Sequence, residues 1–116
     1  MTKVKNQVVT DRYAIYNDDC MNVIRQLEDN SIDLSVYSPP FSSLYTYSSD
    51  ERDFSNVDSN EQFLMQYEFL IEELSRVTKK GRINAIHITD LCDVNGSLSD
   101  FPSDIIKLYK KHGFDY

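Results

Sequence analysis

Residues 31–41, SIDLSVYSPPF, alternate apolar and polar side chains and then stop at a pair of prolines. Ile32, Leu34 and Val36 stand against Asp33, Ser35 and Tyr37, the period of two that marks a strand. Proline fixes φ and lacks a backbone donor, so Pro39 and Pro40 end the strand and force an extended, rigid exit. The Ser38 hydroxyl and the Phe41 ring flank that exit. Such a corner is either a plain strand cap with a core phenylalanine or a small recognition device. The four residues alone leave both readings open.

Upstream, YAIY (13–16) reads as a short strand running into the polar NDD. CMNVIRQLEDN then places Cys20, Val23, Ile24 and Leu27 on one helical face over residues 20–28, with Asp19 as N-cap. Downstream, residues 42–60 are polar and without period, a long loop of the kind that forms lids or stays disordered. The strongest helix signal covers 61–78, where Phe63, Tyr67, Leu70, Ile71, Leu74 and Val77 recur at helical spacing. Ser59 and Gln62 read as its capping box, and Lys79, Lys80 and Gly81 as its cationic, glycine-ended terminus. RINAIHIT (82–89) reads as a third strand and LCDVNGSLSD as a second loop. Pro102 opens a helix over 103–112 with Ile105, Ile106, Leu108 and Tyr109 inward, and Gly113 stops it. FDY reads as the start of another strand.

The order β-α-β-α-β-α predicts an α/β chain, a parallel three-stranded sheet with right-handed crossovers. Sheets of this kind bind ligands beyond the carboxyl ends of their strands. The residues expected there are Asp18 and Asp19, then Ser38 to Phe41, then Thr89 and Asp90.

Composition narrows the classes. A chain of 116 residues is one domain at most, and 41% hydrophobic with 27% charged is ordinary globular usage. The net charge of −7 without a basic run excludes a nucleic-acid groove carried by this segment by itself. Cys20 and Cys92 lie far apart with no CxxC or Cys/His cluster, so the expectation is reduced thiols and no metal site. The N-terminus lacks a long apolar stretch, which predicts no signal peptide, no membrane span and a cytoplasmic protein.

A planar ring bearing an exocyclic amine suits the Ser38–Phe41 corner. The Ser38 hydroxyl and the Pro39 carbonyl can both accept hydrogen bonds from an NH₂ group, orienting its nitrogen lone pair. Phe41 can stack on the ring, a contact worth roughly 1–3 kcal/mol per base.

The surroundings carry a resemblance. YNDDCMNVIRQLEDNSIDLSVYSPPF resembles the segment around catalytic motif IV of amino-group DNA methyltransferases. The matching pieces are Asp18-Asp19-Cys20, the helix to Leu27, Asn30-Ser31-Ile32-Asp33 and Ser38-Pro39-Pro40-Phe41. The likeness continues through VTKKGRINAIHITD and DFPSDIIKLYKKHGFDY, covering residues 12–116. It implies a partial Rossmann-like, S-adenosylmethionine-dependent fold that transfers a methyl group to N4 of cytosine or N6 of adenine in double-stranded DNA. Serine at the first motif position is commoner in the cytosine enzymes. By the resemblance Ser38, Pro39, Pro40 and Phe41 are catalytic, with the target base flipped out of the duplex. Asp19 and Cys20 fall at the cofactor, Asp19 accepting from its adenine amine.

The family's glycine-rich cofactor turn has no counterpart, since Gly81, Gly96 and Gly113 are isolated. The resemblance therefore implies that residues 1–116 are an N-terminal catalytic portion. The cofactor-turn half and the target-recognition region are absent, so the chain alone is expected to be inactive and to need a complementing chain. Two other readings compete: a non-catalytic α/β module binding a nucleotide or partner, and a protein-glutamine methyltransferase fragment. His87 reads as a packed strand residue and His112 as a helix-terminal cation. Tyr45, Tyr47 and Phe54 in the long loop, and Asp90, carry no assigned role.

Overall fold

The computed structural model describes residues 1, 3–39, 60–90, 96–98 and 100–116. Among the described residues, four strands and three helices follow one another as β1 (Asn6–Val9), β2 (Ala14–Asn17), α1 (Cys20–Ile24), β3 (Ile32–Tyr37), α2 (Asn60–Val77), β4 (Thr78–Ile86) and α3 (Phe101–Lys111).

β3 and β4 pair in parallel, as the helix between them requires. The expected third parallel strand is not in this sheet. β2 pairs antiparallel with β1, a strand that the sequence reading missed, and the two form a separate hairpin. The turn between them lacks a glycine signal. Instead the Thr10 hydroxyl accepts from the N–H groups of Arg12 and Tyr13, and Thr10 N–H donates to the Tyr13 carbonyl at 2.8 Å. A partner so near in sequence costs less loop-closure entropy than one across a crossover.

The register of the parallel pair jumps. Ile32 faces Thr78 but Leu34 faces Ile83, so β4 advances from 78 to 83 while β3 advances from 32 to 34. The extra residues include Gly81, whose φ of 76° is a left-handed conformation open to glycine at little cost. Lys79, Lys80 and Gly81 are thus a bulge in β4, not the end of α2, which stops at Val77. Lys79 Nζ lies 3.0 Å from Asp33 Oδ2, so its charge serves the strand pair.

The α2 stripe is buried as its spacing predicts. Phe63, Tyr67, Ile71, Leu74 and Val77 form the core with Ile24, Phe101, Ile105 and Tyr109. The terminus of α2 is closed from outside: Asn30 and Ser31 N–H donate to the carbonyls of Arg76 and Val77 at 3.0 and 2.8 Å. α1 is shorter than the expected 20–28. Gln26 and Leu27 tighten into bonds to Val23 and Ile24, and the Arg76 guanidinium takes the Ile24 and Leu27 carbonyls. α3 ends in a Schellman motif, with Gly113 N–H on Lys110, Phe114 N–H on Tyr109 and the Tyr109 and Phe114 rings 5.0 Å apart.

Helices cover one face of the parallel sheet. Leu34, Val36 and Ile83 point the other way and are 58%, 71% and 64% exposed. Of the described helices, none is long and apolar enough to cross a membrane.

Arg76 joins three segments, bonding Glu73, Asp29 and the carbonyls of Ile24 and Leu27. Lysine has the charge without the planar fork. Arg76→Lys should therefore lose about 1–3 kcal/mol in urea unfolding, since carbonyls near the core lose their donors. An unchanged unfolding midpoint would show that the fork is dispensable.

Candidate active site

The carboxyl ends of β3 and β4 lie side by side. Tyr37 faces Ile86 in the ladder, and one step further His87 N–H donates to the Tyr37 carbonyl at 2.9 Å. The pairing thus extends past β4 and sets His87 next to the Tyr37–Ser38 junction. There Ser38 Oγ lies 3.2 Å from His87 Nδ1. Ser38 and His87 are exposed and Pro39 is buried. The strand end thus puts the Ser38 hydroxyl beside a buried proline, and the described part of the corner stops at residue 39. Pro40, Phe41, Tyr45, Tyr47, Phe54 and Ser59 lie outside the described residues.

The sequence reading makes His87 a packed mid-strand residue. It lies instead beyond the end of β4, exposed and bonded to Ser38. β4 runs from Thr78 to Ile86, earlier in sequence than the expected 82–89, with a bulge near its start, and strand periodicity carries no sign of this. The available signal was adjacency: in a parallel pair, the residues just past both strand ends meet.

Beneath the corner, Tyr37 turns its phenol into the core. Its hydroxyl bonds those of Tyr67 on α2 and Tyr109 on α3. Phe63 stacks parallel to Tyr67 at 5.8 Å, closing the cluster from the side. Burial raises the pKa of all three phenols, and mutual repulsion of their charged forms raises Tyr37 and Tyr67 further.

The acids expected beside Ser38 are placed otherwise. Asp18 and Asp19 follow β2, which belongs to the hairpin, so strand pairing does not bring them to the β3–β4 edge. Asp19 is the N-cap of α1, accepting from Met21 N–H at 3.0 Å. Asp18 accepts from the N–H groups of Lys5 and Asp19 and from Asn22, and these bonds hold its carboxyl below the usual range. Cys20 is exposed as a residue, yet the protein around its thiol pushes the pKa up, and the Asp19 carboxylate adds to this. That disfavours a thiolate nucleophile. Asp90 Oδ1 accepts from Phe101 N–H at 3.2 Å, an N-terminal contact for α3, whose own N-cap Asp100 makes no side-chain cap. Cys92 lies outside the described residues.

Glu68, Glu72 and His112 bring possible ligand atoms within 4.8 Å of one another. The Lys111 ammonium and His112 Nε2 already sit 2.7 and 2.8 Å from Glu68 Oε1. These bonds hold the Glu68 carboxyl below its ordinary range, so the cluster is an α2–α3 clamp with the Lys111 ammonium as its counter-charge.

No protein-family model matches the chain, and no curated protein matches it significantly. Solved structures do. One is a candidate DNA modification methylase from Thermus thermophilus, with TM-score 0.66 and 23% identity over 84% of this chain and 37% of that one. The same protein complexed with S-adenosyl-L-methionine gives TM-score 0.64 and 24% identity, over 84% of this chain and 39% of that one. The likeness is one of fold. This chain has the α/β, partial Rossmann-like fold of that methylase, and it spans less than two fifths of the chains it matches.

The phenol cluster sets an alkaline limit. A folded pKa raised above the unfolded value of about 10 gives stability present in full below pH ~10 and lost as pH rises through the folded values. Three of the eight tyrosines should therefore resist ionisation at 295 nm until the helix signal is lost. Ionisation of all eight with the helices intact would contradict the buried cluster.

Proposed function

We propose that the chain is the catalytic-motif portion of an S-adenosylmethionine-dependent DNA methyltransferase acting on the exocyclic amine of cytosine or adenine. What carries the reading is the position of Ser38–Pro39 at the carboxyl edge of a parallel strand pair, in a fold shared with the Thermus methylase. Sheets of this class place their chemistry at that edge. The SPPF sequence supplies the acceptors and ring that an amine-bearing base requires.

The residues here fit the cofactor in part. Asp19 caps α1 by accepting from Met21 N–H, and its carboxylate is the group that the resemblance assigns to an adenine amine. The methionine end needs a glycine-rich turn, and Gly81 and Gly113 serve a bulge and a helix end instead. When bound, the cofactor supplies an electrophilic methyl group. The chain's own residues do the positioning. Ser38 Oγ and the Pro39 carbonyl accept the two amine hydrogens, which turns the nitrogen lone pair toward the methyl source. Phe41 stacks on the flipped base and holds its plane. No enzyme nucleophile is needed, and the barrier falls through orientation.

The exposed face of Leu34, Val36 and Ile83 accords with a chain that needs further polypeptide, because parallel sheets are ordinarily covered on both sides. The acidic charge accords with DNA contacts supplied elsewhere. The serine at position 38 favours cytosine over adenine, and DNA over a protein glutamine amide.

Calorimetry of the 116-residue chain with S-adenosylmethionine should show weak binding only. Tight one-to-one binding would refute the assignment of the missing turn.

In the protein that joins this chain to its cofactor half, Phe41→Ala should lose roughly 1–3 kcal/mol of base binding with cofactor affinity unchanged. Pro39→Ala should slow the chemical step more than binding. If both variants keep full turnover per folded molecule in single-turnover assays, the corner is structural.

A further inference from the structure

We infer that His87 is a positioning residue for Ser38: its Nδ1 accepts the Ser38 hydroxyl proton, leaving the Ser38 oxygen to face an incoming amine as an acceptor only. The inference rests on the methyltransferase reading and adds to it a residue outside the Ser-Pro-Pro-Phe motif.

A serine hydroxyl carries one donor and two acceptor positions, and its proton rotates to suit its partners. For an amine about to be methylated, the choice of rotamer matters. If Ser38 donates to the amine nitrogen, it occupies the lone pair that must attack. If Ser38 donates elsewhere, its oxygen can take an N–H of the amine and leave that lone pair available. The structure provides the other destination, His87 Nδ1, at 3.2 Å from Ser38 Oγ.

Neither partner can drift far. His87 is tied through its own N–H to the Tyr37 carbonyl at 2.9 Å. Tyr37 in turn is anchored in the core by the Tyr67 and Tyr109 hydroxyls. Ser38 sits between that anchor and the buried Pro39. Asp90, three residues further along the chain, accepts from Phe101 N–H at the start of α3. The acceptor role requires neutral His87 to carry its proton on Nε2.

The test begins with the bond itself, on the full 116-residue chain labelled with ¹⁵N at its two histidines. Long-range ¹H–¹⁵N spectra at mildly alkaline pH should show His87 protonated at Nε2, with Nδ1 shifted as a hydrogen-bond acceptor. Ser38→Ala should move the Nδ1 resonance toward that of a nitrogen without a donor, and His112 should stay in place. A proton on Nδ1 of His87, or an Nδ1 resonance indifferent to Ser38→Ala, overturns the positioning role. This arm involves no methyl transfer.

The second arm uses the protein that joins this chain to its cofactor half. Asparagine places its Oδ1 where histidine has Nδ1, whereas glutamine reaches past it. His87→Asn should keep kcat within a few-fold, while His87→Gln and His87→Ala should lower kcat about tenfold or more with KM for DNA unchanged. Equal losses in all three variants, with melting temperatures preserved, also overturn it. Absence of methyl transfer by the wild-type protein overturns the methyltransferase reading instead, and the positioning role with it.

Discussion

Three phenol hydroxyls meeting in an apolar interior hold this fold in register. Tyr37 comes from the sheet, Tyr67 from α2 and Tyr109 from α3, and Tyr37 bonds both of the others. A buried hydroxyl without a partner is costly, so each ring fixes where the other two can sit. Hydrophobic burial would tolerate small slides of α2 and α3 over the sheet. The cluster does not, because a slide breaks bonds that water cannot replace. It also fixes the end of β3, one residue before the hydroxyl that the proposed chemistry uses.

Among the described residues, helices cover the sheet on one side only. Toward the helices it presents Ser35 and Tyr37; away from them it presents Leu34 and Val36, with Ile83 on β4. A single pair of parallel strands with one bare apolar face is unusual for such sheets, which read as buried on both sides. The methylase of matching fold is more than twice as long as the matched part.

The acidic residues show how the same chemistry can be structural or functional. The strand order read from sequence puts Asp18, Asp19 and Asp90 at the strand ends as possible ligands. Asp19 caps α1, Asp18 gathers the backbone before it, and Asp90 meets the start of α3. A carboxylate that accepts backbone N–H groups stabilises a helix terminus whether or not it also meets a ligand. Among the described residues, the one new pairing at the strand ends is Ser38 with His87.

Local order was legible in the chain by itself. The α2 stripe from Phe63 to Val77, the strand before the prolines, the Asp19 cap and the Gly113 stop all follow from spacing and from residues with fixed backbone habits. The sequence also determined that the strands around α2 run parallel, since a long helix lies between them. What it could not determine depends on contacts between distant residues. The hairpin of β1 and β2 forms because Thr10 closes a turn that no glycine announces. β4 begins at Thr78 because a glycine bulge lets Lys79 reach Asp33 on the neighbouring strand. The residues that the bulge takes up leave His87 one step past Ile86 and beside Ser38. Side-chain period within one strand says which residues share a face; only the register between two strands says which residues meet.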